Sequence, residues 1–184
     1  MPRTTDTEDQ LAAFLAKYSP EVSDLAEALR SKMRKLYPTA LELVYDNYNA
    51  LAIGYSPGEK ASEAIFSIAL YPKWVSFFFL QARGLSDPEC YLTGSGTVCK
   101  HIVMATPDDL NDPAIQDLMQ QALEIAKVPF APQGEHRLII KSVSANQRPR
   151  RPKAISAKRA NTATNAKRAT KATNPKRADT AKAR

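Results

Sequence analysis

Cys99 and His101 stand two residues apart in Val98-Cys99-Lys100-His101. On a strand they would face the same way and could share a metal ion, but the two further ligands of a tight tetrahedral site are missing nearby. Packed side chains answer the same spacing. Exposed carboxylates are harder, weaker ligands that suit exchangeable iron. Two groups qualify: Glu21, Asp24 and Glu27 on one helical stretch, and Asp108, Asp109 and Asp112 ahead of another. Helix N-termini and solubility call for the same acids. Gly94-Ser95-Gly96 could cradle a phosphate on backbone N–H groups. It precedes a strand, however, and lacks the Lys-Thr/Ser ending of a P-loop, so a strand-entering turn is the simpler reading. No nucleophile motif surrounds any serine or cysteine, and the 2 histidines are His101 and His136. Catalysis is therefore not expected. The alternative is a small-molecule-binding protein or enzyme with an apolar pocket beside Trp74 and His101, although aromatic residues on a central strand usually form core.

The remaining chemistry is electrostatic. The 184 residues carry 26 Lys and Arg against 19 Asp and Glu, a formal charge of +7. Residues 148–184 hold thirteen of the basic residues and one acid, Asp179, for +12; residues 1–147 carry −5. Ile155 is the only large apolar side chain of that tail, too little to offset the entropy of ordering it, so a disordered tail is expected. Within it Ala-Lys-Arg-Ala, Ala-Lys-Arg-Ala and Pro-Lys-Arg-Ala recur every nine residues, at Lys158 and Arg159, Lys167 and Arg168, and Lys176 and Arg177. Nine residues make about two and a half helical turns, so no single basic helix face results. Together with Arg150 and Arg151, these cations suit nucleic acid or another polyanion, bound through phosphates without regard to sequence. No aromatic residue in the tail offers a base a stacking surface.

A domain over residues 1–147 must position the rest. Thr7 and Gln10 have capping-box spacing before Leu11, Phe14 and Leu15, and Ser19-Pro20 opens an amphipathic helix through Val22, Leu25, Leu29, Met33 and Leu36. Its exposed face runs from acidic to basic, as a helix dipole favours. After Pro38 the period changes to two. Leu41, Leu43 and Tyr45 alternate with Glu42, Val44 and Asp46; further strands follow around Leu51–Tyr55 and Phe66–Leu70. Trp74 to Leu80 is apolar on both faces apart from Ser76, as expected of a central strand covered on both sides. Strands at 100–105 and 137–143 flank a helix opened by Asp112-Pro113. The expected fold is α+β, a mostly antiparallel sheet of five to six strands with N-terminal helices and one late helix. No apolar run suits a membrane span and the N-terminus lacks a signal core, so a cytoplasmic protein without membrane contact is expected.

The segment Gly84-Leu85-Ser86-Asp87-Pro88, the Leu92-Thr93-Gly94-Ser95-Gly96 loop and the Lys100-His101 strand resemble the signature of the YdhG-like domains, in order, over roughly residues 7 to 127. Thr97 departs from the basic residue common there. The resemblance implies a small α+β domain, frataxin-like, acting as an intracellular iron chaperone toward an iron-acceptor protein and performing no bond chemistry. It sets no oligomeric state.

Overall fold

The computed structural model describes residues 4–152, which fall within the unit Met1–Pro152. The second unit, Lys153–Arg184, with the expected disordered tail and its Lys-Arg repeats, lies outside the described residues. Two helices, α1 (Thr4–Leu15) and α2 (Pro20–Leu36), lead into five antiparallel strands, β1 (Leu41–Asp46), β2 (Leu51–Ser56), β3 (Phe66–Leu70), β4 (Val75–Phe79) and β5 (Lys100–Met104). Helix α3 (Pro113–Glu124) then returns the chain to β6 (Leu138–Val143), which pairs in parallel with β1, giving the order β5-β4-β3-β2-β1-β6. The expected α+β architecture is the one observed.

Local signals explain most boundaries. Pro20 occupies the first turn of α2, and its last turn is basic through Arg34 and Lys35. The Asp112 carboxylate accepts hydrogen bonds from the Ala114 and Ile115 N–H groups at the start of α3. Thr7 is different: α1 begins at Thr4, so Thr7 lies inside the helix rather than at its cap.

Val22, Leu29 and Met33 of α2 and Ile115, Leu118 and Met119 of α3 pack with Ile53, Phe66, Phe77 and Ile102 in one core on a single face of the sheet. Phe66 and Phe77 stack at 5.4 Å and Phe79 meets Phe66 edge-on at 5.8 Å. Register then decides which half of each strand looks outward. Leu43, Gly54, Ser67, Phe78 and His101 form one transverse row of the opposite face; Tyr45, Ala52, Ala69, Ser76 and Val103 form the next.

This register settles the facing of β1, which alternation left open, and overturns the expected cover on both sides of β4. On β1 the charged half, Glu42 and Asp46 with Val44, points to the helices, and both acids are 0% exposed. On β4 the outward positions have no helix over them: Trp74 is 43% exposed and Phe78 is only partly buried. No helix among the described residues is long and apolar enough to cross a membrane.

Candidate functional site

Two acids four residues apart on a strand share a face, so each must find cations from the layer above. Glu42 finds three. Arg30 of α2 donates from Nε at 3.0 and 2.9 Å and from Nη2 at 2.6 Å; Arg34, one turn on, donates at 3.2 and 2.9 Å. His136, from the connector before β6, brings Nε2 to 3.4 Å. Glu8 of α1 closes the group by accepting from both arginines. Burial by itself would raise the Glu42 pKa, but the His136 ring and the arginine hydrogen bonds and charge hold it at about 2. The neighbouring Tyr55 hydroxyl is buried without a hydrogen-bond partner, and burial with the Glu42 charge pushes it well above the usual phenol range.

Asp46 is served from the other end of the chain. Its Oδ1 accepts from Arg150 Nη2 at 2.7 Å, and its Oδ2 from Lys17 at 2.8 Å and Gln147 at 2.6 Å. Arg150 also bonds the Asn47 carbonyl and lies 5.6 Å over the Tyr18 ring. Arg151 donates to the carbonyls of Ala16 and Tyr18 at 3.0 and 2.9 Å, where the end of α1 presents unpaired acceptors. Tyr18 itself bridges the sheet, donating to the Leu70 carbonyl and accepting from Leu51 N–H. Burial raises its pKa to about 12 despite the Arg150 charge. Arg150 is thus a structural group rather than a tail contact, being 4% exposed, whereas Arg151 remains exposed. The domain extends through Pro152, five residues past the expected boundary.

The resemblance-bearing loop is held by its own bonds. Gly84 and Gly94 have φ of +95° and +112°, which a side chain would strain. The Asp87 carboxylate accepts from Tyr91 and Leu92 N–H at 3.0 and 2.7 Å, with Pro88 inside that turn. Lys100 donates to the Gly94 carbonyl at 2.5 Å. His101 meets Thr93 Oγ1 at 3.1 Å and stacks on Phe78 at 4.9 Å. Gly96 is backed by the Cys99 carbonyl, and burial pushes the Cys99 thiol up.

The iron-ligand candidates do not converge. Among the described residues no three His, Cys, Asp or Glu side chains are grouped to hold a metal ion. Glu21 accepts from its own N–H and the Ser19 hydroxyl at the start of α2, which lowers its pKa, while Asp24 and Glu27 are exposed farther along that helix. Asp108 pairs with Lys32 at 2.7 Å, and Asp109 accepts from Ala105 and Thr106 N–H in a capping box. Asp112 caps α3 and accepts from the Tyr91 hydroxyl at 3.1 Å. Replacing Asp112 by alanine is therefore expected to cost about 1 kcal/mol, measured as a lower denaturant midpoint.

A groove of about 640 Å³ is lined by Ala64, Leu80, Gln81, Arg83, Val98 and Lys127, among others, and includes neither Trp74 nor His101. The alternative placed a pocket beside those two; there Trp74 stacks on Tyr71 at 5.0 Å, and Phe78 on His101 at 4.9 Å. No family model, curated protein or solved structure matches the chain.

Proposed function

We propose that the chain is a non-enzymatic nucleic-acid-binding module, in which a folded domain carries a basic arm that contacts phosphates without reading sequence. The observation carrying this reading is the distribution of cations on either side of Pro152. Before it, Arg150 is neutralised by Asp46, and Arg151 is tethered to the carbonyls at the end of α1. After it, ten Lys and Arg stand against Asp179 alone, a net +9. The folded part contributes little attraction of its own, since residues 1–147 carry a net −5. Iron carriage gains no support from carboxylates that cap helices and pair with lysine. The residues that carry the family resemblance shape a loop through positive-φ glycines and the Asp87 carboxylate.

The test is a variant with Lys158, Arg159, Lys167, Arg168, Lys176 and Arg177 all changed to glutamine. Each phosphate contact contributes about 0.9 to the slope of log affinity against log salt on duplex DNA. The variant is expected to flatten that slope by up to about 5 and to behave alike on unrelated sequences. An unchanged slope would remove the arm from the binding account.

A further inference from the structure

The geometry points to the outward face of β4 and β5 as a stacking surface for the bases of single-stranded nucleic acid held by the arm. This deepens the reading above and rests on it. Three observations on one surface carry it. First, the alternate positions of β4 and its turn place Trp74 and Phe78 outward on either side of Ser76, with Tyr71 and His101 stacked against them. Trp74 is 43% and neighbouring Val103 54% exposed, so flat apolar rings meet solvent where no helix packs.

Second, no strand position on this face is acidic. The six strands contain two acidic residues, Glu42 and Asp46, and both point to the helix side, where cations neutralise them. The exposed Lys73 stands beside Trp74 in the turn. In a domain with an excess of acids, strand positions with none are complementary to a polyanion. Third, the Ser76 hydroxyl is buried between the aromatic residues without a hydrogen-bond partner. That leaves an unpaired polar group beneath the rings, closed to a base until a ring turns aside.

The chemistry fits bases better than a bare polyanion. Aromatic side chains on an open sheet accept any base through its π face, while backbone charge is met by separate cations. Duplex DNA hides those π faces. The arm supplies charge and no ring; this face supplies rings with no acid at its strand positions.

Trp74 is the only tryptophan, so its fluorescence reports stacking directly in the full chain. The chain is titrated with oligothymidylate and, separately, with inorganic polyphosphate, and binding is followed independently by sedimentation. Oligothymidylate is expected to quench Trp74, whereas polyphosphate binds without quenching. Trp74→Leu is expected to weaken oligothymidylate binding by roughly five- to a hundredfold, read by anisotropy of a labelled strand, and to leave polyphosphate binding unchanged. Val103→Glu is expected to weaken the strand and Val103→Lys to spare it, which separates charge on the face from loss of folding. Oligothymidylate bound without quenching, together with wild-type affinity in both Trp74→Leu and Val103→Glu, would overturn stacking while leaving the arm reading intact. Failure of either polyanion to bind would overturn the arm reading and stacking with it. A dimer that Val103→Glu converts to monomer in the absence of nucleic acid would assign the face to a second copy and overturn the proposal.

Discussion

Replacing Glu42 by glutamine is expected to lower the free energy of unfolding by about 3–5 kcal/mol, the usual cost of removing one partner from a buried ion cluster. Glu42 is 0% exposed and holds both Arg30 and Arg34, whose guanidinium groups would otherwise repel each other. Without its charge they keep only Glu8, which is 36% exposed at the side chain and more strongly screened by water. Denaturant unfolding measures the effect, and a loss under about 1 kcal/mol would show that water already supports the arginines. Acid should reproduce it in the unmodified chain. Glu42 titrates at about 2 when folded, against an ordinary 4.5, so the folded state binds its proton less readily. Its contribution is complete above pH 4.5 and is lost as pH falls toward 2. The shift corresponds to about 3 kcal/mol, comparable with the substitution.

Ending the chain at Gln147 is expected to cost as much, whereas ending it at Pro152 should leave thermal stability unchanged. The five intervening residues include Arg150, whose side chain is 3% exposed against an Asp46 side chain that is 1% exposed. Arg150→Ala should likewise cost about 3–5 kcal/mol and lower the melting temperature by about 10 °C for a domain of this size. Lys17 and Gln147 remain on Asp46 Oδ2, but Oδ1 loses its cation. Coincident melting of the two truncated chains would mean that these bonds add nothing to stability.

The sequence made helix ends and strand positions legible because their signals are local. Ser19-Pro20 and Asp112-Pro113 open α2 and α3 where their backbone preferences require. The face of β1 was not legible. A period of two separates Leu41, Leu43 and Tyr45 from Glu42, Val44 and Asp46, but does not say which set meets the helices. That choice depends on Arg30, Arg34 and Arg150, and the last lies 104 residues from Asp46. A cue was present in two acids of one parity on a strand, matched by arginines one turn apart on a helix. Arg150 and Arg151 were hidden for a different reason, since composition merges them with the cations that follow. The aromatic face was hidden by the apolar run of β4, which reads as core on both sides whether or not a second layer exists.

Where the nucleic-acid affinity resides decides between the arm and the folded domain. The most direct measurement compares one oligonucleotide's affinity, over a series of salt concentrations, for the full chain and for the chain ending at Pro152, with melting curves showing both folded. The expected result is a steep salt dependence for the full chain and loss of nearly all low-salt binding on truncation at equal melting temperature. Equal affinity and equal slope for the two chains would contradict it.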